Sequence, residues 1–268
     1  MEGRRGVCCT LGERMDDISG ILERWPFDPS RIQARRLEGS GPGARPIVQL
    51  RVDMGVLQMY RDGRPDGTRP GGHQSLLHQY RALAERAARR GVPPEALRIP
   101  PEDFPELDRE LLQYHHRSLA FFALGDHARA ARDANHGLEL LMLIKRCAKD
   151  GSYVARHERT IPLVIFERAR ARALTALDGH KPALAVRHME EGMRLLREHI
   201  KGSRCEAGAE APRQLAFLGR WARRVRIAHG LGPPLETQLD EAVRREDYEE
   251  AARLRDEIRR RSYPSRDA

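Results

Sequence analysis

Lysine is nearly missing from this chain. Only four occur, at 145, 149, 181 and 201, against 44 arginines. An arginine bias can serve planar, bidentate recognition of phosphate. Here the arginines run the length of the chain and alternate with acids, which fits a high-GC coding bias better. Aromatic residues are also scarce, at 5%, as suits a helical protein packed through Ala and Leu. Cysteine is limited to Cys8, Cys9, Cys147 and Cys205, whose spacing matches neither a disulfide framework nor a zinc site. No apolar run is long enough to cross a bilayer, and the N-terminus lacks the apolar centre of a signal peptide. The expected setting is a reducing cytoplasm, with no membrane partner.

Catalytic signatures are absent as well. There is no Gly-x-x-x-x-Gly-Lys-Ser/Thr phosphate loop and no His-Glu-x-x-His metal pair. A Gly-x-Ser-x-Gly nucleophile elbow is also lacking. The eleven histidines form no ligand set. His115 and His116 are adjacent and point to different sides of a helix, while His180, His188 and His199 are scattered. The adjacent Cys8 and Cys9 lack a neighbouring base to activate them. The chain is therefore expected not to be an enzyme, and to hold neither a metal nor a cofactor.

What is present is enough for folding. A chain of 268 residues with 40% hydrophobic content can bury a sizeable core in one or two domains. The pattern predicts a mainly α (α+β) fold. Residues 1–30 read as a tail and a short helix, with Met15, Ile18, Leu22 and Trp25 at helical spacing. Residues 31–72 read as a small antiparallel sheet followed by a Gly/Pro-rich loop. One strand lies near Ile32–Arg35. The next run, 47–60, puts Val48, Leu50, Val52 and Met54 inward and Gln49, Arg51 and Asp53 outward. Gly55 interrupts it as a bulge or bend. The run 62–72 is dense in turn residues. Its glycines and arginines suggest either a phosphate cradle or a loop turning the chain from sheet to helix, and the second is favoured.

From residue 73 to 230 the period is helical throughout, with Pro162 bending or starting one helix. Two stretches, 114–138 and 173–193, resemble tetratricopeptide repeats. They carry Phe121, Gly125-Asp126, Ala130 and Leu138 in the first, and Ala176, Ala185 and Gly192 in the second. Small residues at 130, 137, 185 and 192 let paired helices approach closely. Arg117 stands where an apolar residue is usual. The resemblance implies a helical array with a concave surface for a peptide or protein.

Residues 231–262 form a distinct unit. Leu235, Leu239, Ala242 and Val243 share one helical face after Pro233-Pro234. Tyr248, Ala251, Ala252, Leu254 and Ile258 line a second helix. Asp247 is placed to cap it, with Glu250 completing a capping box. Residues 235–261 hold nine acids and seven arginines, a net charge of −2, which suits a helix–helix interface rather than a phosphate surface. The Ala-Val pair at 242–243, the Glu-Asp-Tyr-Glu turn at 246–249 and the run 251–258 resemble a UVR domain, the helical hairpin found near the C-termini of the helicase and nuclease components of the excinuclease. In that family the hairpin pairs with another copy of itself. The resemblance implies a partner-contact face of Leu239, Val243, Tyr248, Ala252, Leu254 and Ile258. The phosphate loop of the excinuclease helicase is missing, and nothing resembles the nuclease modules of its companion. The zinc-binding Cys-x-x-Cys sets that accompany this hairpin in a kinase-activator family are also absent. The combination of Asp53–Met59 with Asp62–Gly67 resembles bacterial proteins that also end in a UVR hairpin, a likeness that carries no activity.

One segment keeps a rival reading open. Residues 212–227 contain five arginines and no acid. Arg213, Arg220, Arg223 and Arg224 share one face, opposite Leu215, Leu218, Ala222 and Val225. That face suits a phosphate backbone. The plainer expectation is that the helix packs on the bundle and its arginines pair with acids. The leading expectation is a non-enzymatic adaptor that docks a protein partner or a second copy through the hairpin. The alternative is a DNA-associated excision-repair accessory factor using helix 212–227.

Overall fold

In the computed structural model the described residues are 17–39, 43–93, 96–202 and 210–262. Cys8, Cys9, Met15, Cys205, both tails and the centre of the loop at 39–43 lie outside them. Helix α1 (Ser19–Arg24) precedes a three-stranded antiparallel meander of β1 (Gln33–Leu37), β2 (Ile47–Val52) and β3 (Gly55–Tyr60). Leu37 pairs with Ile47, and Val52 pairs with Gly55. Gly55 therefore opens a new strand, where a bulge or bend was expected. Asp53-Met54 form a two-residue turn, and Met54 is exposed rather than inward.

The alternation is also corrected. Val48, Leu50 and Met59 pack on Ala120, Phe121, Ala130 and Ala131, as a core-facing set should. Gln49 and Arg51, expected outward, are buried too. Gln49 bridges the sheet, accepting from Arg35 at 2.7 Å and donating to Gln58 at 2.8 Å. Arg51 donates to the carbonyls of Trp25 (2.7 Å), Val52, Asp53 and Gly55. The segment after α1 covers this face through stacking of Arg35 on Trp25. A central strand covered on both sides loses the polar-out signal that the sequence pattern relies on.

Helix α2 (Leu76–Arg89) is capped by Ser75 and ends before the left-handed Gly91. Then come α3 (Phe104–Ala123), α4 (His127–Cys147), α5 (Gly151–Glu158), α6 (Ile161–Asp178), α7 (Pro182–Gly202) and α8 (Glu210–Ala228). Asp126 caps α4, and Asp150 caps α5 through the Ser152 and Tyr153 amides. Pro162 starts α6 rather than bending a longer helix, at a position where a missing N–H costs nothing. Helices α3–α4 and α6–α7 are hairpins. Gly192 lies where α6, α7 and α8 meet, and a Cβ there would come within 2.5 Å of Ala169 Cβ.

The run 62–72 is a structural corner. Arg64 is buried and ion-paired with Glu106 (3.0 Å), Glu110 (3.4 Å) and Asp66 (3.7 Å). Its charge is consumed internally, which supports the reading of this run as a loop turning the chain from sheet to helix. Arg117, odd for a repeat position, is the pin. It grips Asp133 in a bidentate pair (2.7 and 2.9 Å) and donates to the carbonyls of Tyr60 and Gly63 at 2.8 Å. Glu110, fully buried, accepts from the first amides of α2 at Leu76 (2.8 Å) and Leu77 (3.3 Å), and from His136 at 2.9 Å. Burial would raise the Glu110 carboxyl, but the His136 and backbone hydrogen bonds overcome it and hold the group below its ordinary value.

Candidate functional site

The C-terminal hairpin is built from α9 (Leu235–Arg244) and α10 (Tyr248–Ser262). Pro234 precedes the first helix and supplies an extended lead-in. The turn has a specific geometry. Glu246 is left-handed (φ 58), the Asp247 amide bonds to the Ala242 carbonyl at 2.9 Å, and the Glu246 amide bonds to the Val243 carbonyl at 3.0 Å. These two bonds are the paired closures of a Schellman turn. Asp247 then caps α10 by accepting from the Glu250 amide at 3.1 Å. The Glu250 side chain does not complete the box; it pairs with Arg253 at 2.7 and 2.8 Å.

Two alanines let the helices meet. Ala242, Ala251 and Leu254 are buried between them, with Leu235 and Leu239 packed alongside. Among the described residues this cluster includes none from the body. The body holds the hairpin at its base. Arg226 pairs with Glu190 at 2.6 Å and donates to the Gly232 carbonyl, and Leu231 packs on the α6–α8 core. A cleft lined by Val186, Arg187, Leu231, Pro233 and Leu235 separates the two parts there.

The six residues expected to form a contact face thus divide. Val243 is 50% exposed and Tyr248 is 69% exposed, both next to the turn. Leu239, Ala252 and Ile258 are half-buried. Leu254 differs from the expectation: at 5% exposure it closes the hairpin's own seam. Heptad-like patterns mark every apolar position alike, and only the crossing geometry separates the seam from the outer edge.

Helix α8 shows the opposite polarity. Ala211, Gln214, Leu218, Ala222 and Val225 face α7 and α6 and are buried. Arg213, Arg220, Arg223 and Arg224 are exposed together. Arg213 has only Glu210, 4.0 Å away on its own first turn. Among the described residues no carboxylate lies within salt-bridge range of Arg220, Arg223 or Arg224, so the expected pairing with acids is not what this face does. The sequence reading also missed Phe217. It is 38% exposed, meets Phe166 edge-on at 5.6 Å, and lies 6.1 Å from the Trp221 ring. Its spacing from Arg213 and Arg220 was the available signal.

A third feature is a groove of about 230 Å³ between α3, α4 and α6, lined by Leu111, Leu112, Leu141, Leu163 and Val164. His115 and Glu167 face each other across it at 3.4 Å. The Glu167 hydrogen bond raises the His115 pKa against the effect of burial. Two histidine–carboxylate contacts, this one and His157–Asp108 at 2.8 Å, sit at its rim. Among the described residues no group of three His, Cys, Asp or Glu could hold a metal ion. No helix there is long and apolar enough to cross a membrane.

No curated protein and no solved structure matches the chain. One family model does match, over residues 234–260: UVR, the UvrB/uvrC motif, whose span coincides with the α9–α10 hairpin.

Proposed function

We propose that this protein is a non-enzymatic adaptor that docks a protein partner, or a second copy of itself, through the C-terminal hairpin. The observation that carries the reading is the exposure of Val243 and Tyr248 beside a tight turn, on a hairpin that matches the UvrB/uvrC motif. A helical hairpin of this size has a minimal core of its own and gains from a second apolar surface. The mixed charges flanking it suit ion pairs at the rim of such an interface. Residues 73–230, read as tetratricopeptide-like, serve as the rigid body behind it.

The test uses exposed positions, so that folding is not the variable. Val243→Asp with Tyr248→Asp should leave helicity unchanged by circular dichroism and abolish association. Sedimentation velocity over a concentration series reads self-association. Capture by the full chain and by a chain lacking 231–268, compared by mass spectrometry, reads a partner. Association unchanged by the double variant sinks the reading.

A second reading is favoured by one observation, the exposed basic face of α8, on which Arg220, Arg223 and Arg224 have no carboxylate in range among the described residues. On it the protein is a DNA-associated repair accessory factor. A mobility shift with duplex and single-stranded DNA at rising salt separates the two readings.

A further inference from the structure

The exposed side of α8 is more than a positive patch. Arg213, Phe217, Arg220 and Arg224 follow one another at intervals of four, three and four residues, which is a single ridge along a helix. At about 1.5 Å per residue the ridge is about 16 Å long. Phe217 stands inside it, partly exposed, with Trp221 beside it and Phe166 supporting its edge. Arg223 flanks the ridge on the same exposed side. Residues 211–228 contain no acid at all, and the buried stripe of Leu218, Ala222 and Val225 fixes the helix so that this ridge faces out.

The chemistry of the ridge restricts its ligand. Every polar side chain on it is an arginine, which offers only donors. A peptide laid along it would bring amide donors as well as carbonyl acceptors, and the ridge offers those donors no acceptor. A phosphodiester backbone brings acceptors only. A duplex presents phosphates but no open base face, leaving Phe217 without a role. A single strand presents both phosphates and bases, and stacking on an aromatic ring tolerates any sequence.

We propose that the α8 ridge binds single-stranded nucleic acid, with Arg213, Arg220 and Arg224 on successive phosphates and Phe217 stacked on a base. The proposal rests on the DNA-associated reading above and specifies its ligand. Arg223 adds charge from the flank, and Trp221 holds the Phe217 ring in place.

Fluorescence anisotropy of the full-length protein with a labelled oligo-dT of roughly 16 nucleotides, the matching duplex and an acidic peptide provides the test. Between about 50 and 200 mM salt, log affinity for the single strand should fall with a slope near −2, as about three neutralised phosphates require. The triple variant Arg213→Ala, Arg220→Ala, Arg224→Ala should flatten that slope. Phe217→Ala should weaken binding about ten-fold and leave the slope unchanged. Circular dichroism checks that both variants keep their helices. Absence of binding to either form of DNA at low salt overturns both the proposal and the reading beneath it. Equal affinity for duplex and single strand, with Phe217→Ala silent, overturns the proposal alone. Preference for the acidic peptide, or unaltered binding by the triple arginine variant, also overturns it.

Discussion

Arg117 shows how much a single side chain can decide. It is among the largest fully buried side chains in the protein, and it ties α3, α4 and the loop after β3 to one point. A buried charge is tolerated only when paired and hydrogen-bonded throughout. Here Asp133 supplies the counter-charge to Nε and Nη2, and the Tyr60 and Gly63 carbonyls accept from Nη1. Removing Arg117 leaves the buried Asp133 with only the longer contact to Arg132 at 3.4 Å. Arg117→Met is expected to lower the unfolding free energy by about 3–5 kcal/mol, measured by urea titration. Combining it with Asp133→Leu should restore part of the loss, because the buried carboxylate, left with Arg132 alone, is then gone. A double variant less stable than the single one would refute this account of the pair. Glu110 illustrates the same logic for a helix terminus, since its carboxylate receives the first amides of α2 from 33 and 34 residues away. It takes the part that an N-cap residue plays locally elsewhere.

The elements are assembled through small residues at their crossings. Ala169 and Gly192 meet where α6 passes α7, with Leu218 of α8 as the third wall. Gly192→Ala puts a methyl 2.5 Å from the Ala169 Cβ, where neither backbone can yield without moving a helix. The expected cost is about 1–3 kcal/mol, despite the higher helix propensity of alanine. Gly219→Ala is the control. Its Cβ would meet only the Met193 sulfur at 3.5 Å, so propensity should dominate and stabilise by about 0.5–1 kcal/mol. Thermal melts of the two variants should move in opposite directions. At the α9–α10 turn the close approach of Ala242 and Ala251 follows the same rule, with Leu254 filling the seam they leave.

At the scale of the molecule, the described residues divide into a body and an appendage. The body has three apolar clusters, under the sheet, around α2–α5 and around α4–α8. The hairpin has its own small cluster and meets the body at its base. A chain ending at residue 230 is therefore expected to melt within a few degrees of the full chain by calorimetry. A large drop would mean that the hairpin seals the body, and an interaction role would lose its free surface. The two proposed surfaces, the hairpin edge at Val243 and Tyr248 and the α8 ridge, carry opposite polarity. Their ligands are accordingly expected to differ.

Much of this arrangement is written in local pattern. The helical periods, the Asp126, Asp150 and Asp247 caps, the inward pair Val48 and Leu50, and the hairpin motif at 234–260 all depend on residues within a few turns of each other. So does the exposure of the α8 arginines, because a buried stripe at helical spacing dictates the opposite face. The remainder depends on partners far along the chain. Burial of Gln49, Glu110 and Arg117 costs desolvation that only hydrogen bonds to other elements offset, and no local pattern announces those bonds. The start of β3 at Gly55 and the assignment of Leu254 to an internal seam are likewise set by which neighbours arrive. Periodicity says that a side chain prefers to be covered. What covers it, and whether a polar group can join it there, is decided only when the elements pack.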